Sequence, residues 1–138
     1  MKKFLVLLFL ATVLPSFTVP GTAFSIVGKW KSVDKKGNVA FMFFDKEGYV
    51  SMGSGDKLLG GKEFEMNGEK GRMTYVVDYP KNMLDLVITR IATKEQKKLL
   101  GIYKIINANE ILLVMQPDKR PVSLTGPDAL TFKRVPQK

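Results

Sequence analysis

An antiparallel, up-and-down β-barrel of about eight strands is the fold this sequence predicts, with a two-sheet β-sandwich as the alternative. Three observations lead there. Short runs rich in β-branched and aromatic residues recur along the chain, parted by Gly, Asn, Asp and Pro. The connections between them are too short for the crossover helix that a parallel pair requires. About eight or nine strands in such a chain also leave exposed edges, and closure into a barrel removes them.

The chain opens with Lys2 and Lys3, an apolar run from Phe4 to Leu14, a helix-ending Pro15, and the small residues of Gly21-Thr22-Ala23. This is the pattern of a signal peptide, cleaved after Ala23. The apolar run falls short of the roughly 20 residues that span a bilayer, although an uncleaved anchor is the other reading. Residues 24–138 then form one domain, periplasmic or secreted, with no stable membrane span after cleavage. No cysteine follows the apolar run, so a lipid-modified terminus is excluded.

The strands follow in order. Gly28–Val33 opens the domain, and Asp34-Lys35-Lys36-Gly37 turns into Val39–Asp45. Lys46-Glu47-Gly48 leads to Tyr49–Met52. Gly53 to Gly61 holds four glycines and reads as a loop. Lys62–Met66 pairs with Arg72–Tyr79 across Asn67 to Gly71, and Pro80-Lys81-Asn82 turns into Met83–Ile91. Thr93–Lys98 is a polar connection or a single helical turn. Leu99–Ile106, the turn Asn107-Ala108-Asn109 and Ile111–Met115 follow, and a turn-rich segment from Asp118 to Pro127 precedes the closing strand Ala129–Val135. Alternation is clear where Met73, Tyr75, Val77 and Tyr79 oppose Arg72, Thr74, Val76 and Asp78. Phe41 to Phe44 and Ile111 to Met115 are instead apolar on both faces, so they want cover from a loop, a partner or an interior contact.

Composition narrows the chemistry. The 115 residues left after cleavage can bury a real core without staples. With no cysteine there is no disulfide or thiolate site, and with no histidine the usual metal ligand and neutral-pH base are missing. Removing the two leader lysines from the formal +9 leaves +7, but the lysines are scattered. That describes a solvated basic surface rather than a nucleic-acid site. No cofactor or metal is expected.

Gly28-Lys29-Trp30 at the start of the first strand resembles the G-x-W signature of lipocalins. There the tryptophan packs at the closed end of the barrel beneath a basic residue of the last strand, and Arg134 stands in that place. An indole plug capped by a guanidinium is sound in itself, since the cation–π contact contributes about 0.5–2 kcal/mol. The other reading is an ordinary core tryptophan and an unrelated arginine. Further along, Tyr75-Val76-Val77-Asp78, Pro80, Leu84-Asp85-Leu86, Leu100-Gly101-Ile102-Tyr103 and Arg120-Pro121 are similar to an uncharacterised bacterial family of small secreted lipocalin-like domains. The match spans Tyr75 to Val135. It implies a calycin-like barrel and brings no assigned activity. In that family the strand after G-I-Y often ends in cysteine, whereas this chain reads Leu112-Leu113-Val114-Met115.

Among reactive groups, Asp78 and Asp85 lie across a tight turn, where facing carboxylates would be acid–base material. No nucleophile or oxyanion donor accompanies them, and Asp85 reads as a structural residue that points outward or bonds turn amides. Arg120 either anchors an anionic ligand at the barrel mouth or ties a loop to a carboxylate, with Asp85 as a partner. No histidine is present to activate a serine, so an enzyme is not expected. The expected function is a binding module that takes a small hydrophobic or amphiphilic ligand in the barrel, with Phe41, Phe43, Tyr75, Tyr103 and Arg120 as candidate contacts. Gly28, Trp30, Arg134 and Asp85 are the structural set. The alternative is an interaction protein with a side-chain-filled barrel, which docks an envelope partner or inhibits a secreted enzyme.

Overall fold

The computed structural model describes residues 23–55 and 57–136. Apart from Ala23, the expected leader lies outside the described residues. Ten strands form: β1 (Gly28–Val33), β2 (Val39–Phe44), β3 (Val50–Ser54), β4 (Lys57–Gly60), β5 (Phe64–Met66), β6 (Glu69–Asp78), β7 (Met83–Arg90), β8 (Gln96–Asn107), β9 (Glu110–Pro117) and β10 (Leu130–Arg134). They belong to one sheet in the order β4-β3-β2-β1-β10-β9-β8-β7-β6-β5, so consecutive strands are neighbours except β4 and β5, which form the two edges, and the last strand pairs with the first. Each pairing is antiparallel. The sheet curls into a nearly closed all-β barrel, and a single continuous sheet replaces the sandwich alternative.

The strand count of about eight is corrected to ten, chiefly at the glycine-rich segment expected to be a loop. Lys57–Gly60 is instead a strand paired with β3. Its glycines permit close backbone approach: a Cβ on Gly60 would stand 2.4 Å from the Val50 carbonyl oxygen, and one on Gly53 would overlap the Lys57 carbonyl. Glycine there marks a tight hairpin, not a slack connection. The connection after β7 carries no helical turn, and β8 begins early, at Gln96. Between β5 and β6 the turn shrinks to Asn67 and Gly68, both at positive φ (54° and 78°), as two-residue hairpins require.

Closure is uneven around the barrel. The β1–β10 side is laddered, with Trp30 opposite Arg134 and Lys31 opposite Lys133. On the other side β6 meets the β2–β4 hairpins through few bonds. Tyr75 N donates to Gly48 O at 3.0 Å, Met73 N donates to Gly61 O at 2.9 Å, and Tyr49 bridges Thr74. Tyr75 adds a side-chain stitch, since its Oη donates to Asp45 O at 2.6 Å while its ring meets Phe44 edge-on at 4.9 Å.

Inward rows build one core. Trp30, Met42, Phe44, Val50, Met73, Leu84, Leu86, Tyr103, Ile111, Leu113 and Phe132 are buried together. The two strands that read as apolar on both faces resolve differently. Met42 and Phe44 turn inward, and Phe41 and Phe43 turn out, with Phe43 37% exposed. On β9, Val114 faces away from the interior cluster yet is only 3% exposed. The segment after β9 folds back along this outer wall, and Pro121 is buried there.

Candidate functional site

The two ends of the barrel differ in construction. At one end, the floor, the β2–β3, β6–β7 and β8–β9 turns meet the segment that enters β1. Trp30 is fully buried there and donates from Nε1 to Ile26 O at 2.8 Å. The Arg134 guanidinium lies 4.2 Å from the indole centroid. It also donates to Val27 O and Ser25 O, each at 2.7 Å, and to Ala108 O at 3.2 Å. This one side chain therefore ties the entering segment to the β8–β9 turn. Burial lowers the proton affinity of Arg134, and the neighbouring Tyr79 partly opposes that. Gly28, at φ 130°, is the residue that makes room, because a Cβ there would sit 2.9 Å from Arg134 Nη1.

Phe24 completes the floor, packing on Trp30, Tyr79 and Tyr103 with ring centroids 6.1–6.2 Å apart. The Tyr79 hydroxyl accepts from Ile26 N at 3.1 Å. Tyr103 is 2% exposed, and its hydroxyl has no hydrogen-bond partner among the described residues. Burial pushes its phenol up to about 12, with Tyr79 and Asp78 adding to the effect.

At the other end, the mouth, the interior opens into a cavity of about 580 Å³. Met42, Met52, Leu99, Leu113, Met115, Leu130 and Phe132 supply apolar walls, with Ser54, Pro127 and Asp128 at the rim. The cavity ends where the floor begins: Met42 pairs directly with Trp30, and Phe132 lies two residues before Arg134. Beside it, under β5 to β8, lies a second cleft of about 650 Å³ that is more polar. Phe64, Met66 and Ile88 line it together with Glu69, Lys70, Arg90, Glu95 and Lys97.

The residues singled out from the sequence are distributed over the molecule. Gly28, Trp30 and Arg134 meet at the floor. Among the candidate ligand contacts, Phe41 reaches the cavity rim and carries Lys29 Nζ 4.6 Å from its ring centroid. Phe43 lies on the outer wall, Tyr75 stitches the barrel seam, and Tyr103 packs in the floor. Arg120 is on the outer wall, where Nη1 and Nη2 grip both carboxylate oxygens of Asp85 at 2.7 and 2.8 Å. Nη1 also donates to Gly101 O at 2.8 Å. The Arg120 hydrogen bonds hold the Asp85 carboxyl below the usual range, and Asp85 in turn raises Arg120. Asp78 pairs with Met83, and Asp85 with Val76, so the two carboxylates do not face each other.

The cavity walls were not singled out from the sequence. The signal for them was parity: residues in register with a buried neighbour two positions away on β8, β9 and β10 share the inward face. Among the described residues no cluster of acidic side chains could hold a metal, and no helix is long and apolar enough to cross a membrane. Compared with family models, curated proteins and solved structures, the chain matches none of them.

Proposed function

We propose that this protein is a non-enzymatic, exported, lipocalin-like barrel that binds a small hydrophobic or amphiphilic ligand at its mouth. The observation that carries the reading is the apolar cavity of about 580 Å³. Its size lies within the roughly 300–1,000 Å³ typical of small-molecule pockets, and its walls are chiefly aliphatic and thioether side chains. Methionines at Met42, Met52 and Met115 give that wall an adaptable surface, since an unbranched thioether repacks readily around different shapes. Export is read from the leader, and the lipocalin-like assignment from the G-x-W strand and the Tyr75–Val135 pattern.

Native mass spectrometry and lipid extraction of protein purified from its own compartment test the reading. An apolar molecule that co-purifies, together with saturable binding of a fluorescent fatty-acid probe, is the expected result. Absence of both overturns it. A second reading, a protein that docks an envelope partner, draws on the outward Phe43 and on Val76, which is 63% exposed. Crosslinking in the native envelope that depends on Phe43 distinguishes it.

A further inference from the structure

Lysines that are scattered in the sequence are gathered by strand register on one outer wall of the barrel. Lys29 and Lys31 face out from β1, directly opposite Phe43 and Phe41 on β2. Across the closing ladder Lys31 stands opposite Lys133 on β10. Lys104 faces out from β8, beyond Leu112 and Thr131. Directly opposed residues on paired strands hold their Cβ atoms about 4.5–5.5 Å apart, and like charges so placed destabilise the sheet. Lys31 and Lys133 carry that cost, and neither has a carboxylate in ion-pair range among the described residues. The ion pairs that do form all involve β6, β7 or the segments beside them.

The charge surplus survives a full count of the neighbours. The wall's own carboxylate, Glu110, lies opposite Lys133 but accepts from Asn107 Nδ2 at 3.4 Å. Four lysines therefore face one carboxylate on the strands. The turns at the two ends of the wall add three lysines and four carboxylates (Asp34, Asp45, Glu47 and Asp128), so the balance stays positive. Asp34 and Asp45 are also turned onto their own loop amides. Between the lysines the wall is apolar. Phe43 and Val33 are exposed, and half-buried Phe41 carries Lys29 Nζ 4.6 Å from its ring centroid. Ser51 and Gly53, opposite the two phenylalanines on β3, add no bulk that would screen them.

We infer that this wall docks on an anionic phospholipid surface: the lysine ammonium groups meet the lipid phosphates while Phe43 and Val33 enter the boundary of the acyl chains. Lysine suits that arrangement, because its alkyl stem lies along apolar surface while its charged head reaches outward. The phosphates supply the counter-charge that the Lys31–Lys133 pair lacks. A convex barrel wall offers no groove to grip a folded partner, whereas a fluid bilayer conforms to it. The surface is separate from the cavity at the mouth and gives the outward Phe43 a partner.

Flotation of the intact protein with vesicles of phosphatidylcholine alone, or with about one-third phosphatidylglycerol, tests this. Wild type is expected to float with the anionic vesicles, to stay down with the neutral ones, and to be released as salt rises. Lys31→Gln with Lys133→Gln should weaken binding about 25-fold, about fivefold for each lysine. Its thermal unfolding should match or exceed wild type, because the like-charge pair is gone. Lys94→Gln with Lys97→Gln takes the same charge from the β7–β8 end and should bind as wild type does. In Phe43→Trp, lipids brominated in the acyl chain should quench the new indole and spare the buried Trp30. Equal losses in the two double variants, or neutral vesicles bound as tightly as anionic ones, overturn the docking wall. No flotation with anionic vesicles overturns the bilayer as partner, and binding of polyglutamate in its place assigns the face to an acidic protein. None of these failures touches the cavity, which the fatty-acid probe reads separately.

Discussion

At the floor of the barrel Trp30 is fully buried, its indole nitrogen is bonded, and Arg134 spends its donors on three backbone carbonyls. At the mouth, some two strand-residues further along the same ladders, half-buried Met52, Leu99, Met115 and Leu130 surround open space above the buried Met42 and Leu113. The two ends share strands, register and twist. They differ in the size and bonding of the side chains the inward rows carry. A barrel of this size is filled by large aromatic residues and left open by aliphatic ones, so one scaffold holds a rigid end and an adaptable end.

Substitutions sharpen that contrast. Trp30→Ala should destabilise by about 3–5 kcal/mol, as deletion of a large buried ring does, measured by urea unfolding. A loss below about 1 kcal/mol would mean that the floor is not the stable end. On the outer wall, Asp85→Asn should cost about 1 kcal/mol near neutral pH, because one charge of a partly exposed bidentate pair is lost. The pH dependence has a definite sign. The folded-state pKa of Asp85 is depressed, so its contribution is present above the unfolded value near 4 and is lost as pH falls through the folded value. Wild type should therefore lose more stability than Asp85→Asn as the pH drops below about 4.

At the mouth the effects should separate. Leu99→Ser should reduce stability by only about 1 kcal/mol while lowering the affinity of an apolar probe about tenfold. Equal proportionate losses would erase the distinction between the two ends. The smallest effect belongs to the unpaired phenol in the floor. Tyr103→Phe removes a buried hydroxyl that has no partner among the described residues, so stability should stay level or rise by up to about 1 kcal/mol. Its pKa, raised to about 12, predicts a second signature. The neutral phenol is favoured by folding, so wild type should lose stability as pH rises from about 10 towards the folded value, and the Phe variant should lose less.

Much of the architecture was legible because alternation and turn residues act locally. Met73, Tyr75 and Val77 share one face, as their period-two pattern reads. Asp85 and Arg120 stood out as a candidate pair, since an arginine before a proline and an aspartate between leucines have few uses. The β4 strand was hidden because glycine signals both slack loops and close approach, and only the positions of the neighbouring carbonyls separate the two. The mouth was hidden for another reason. Of the aromatic residues singled out as ligand contacts, Tyr103 fills the floor, Tyr75 stitches the seam and Phe43 faces outward, which leaves Phe41 at the rim, while the aromatic wall residue Phe132 drew no notice. The cavity is defined by where smaller side chains stop short, a property of the closed sheet that no single residue carries.

The pairing of the first strand with the last also sets an order in time. Ser25 and Arg134 bond across 109 positions of sequence, so closing that end of the barrel requires the longest chain loop of any hydrogen bond among the described residues. Loop closure of this kind weighs on folding rate more than on final stability. Until Arg134 arrives, the lone tryptophan has neither its cap nor one of its flanking strands. Its fluorescence should therefore report the final step of assembly, after the β6–β9 meander has already formed from neighbours in sequence. A chain released even a few residues short of Arg134 would keep most of its hairpins and never complete its floor.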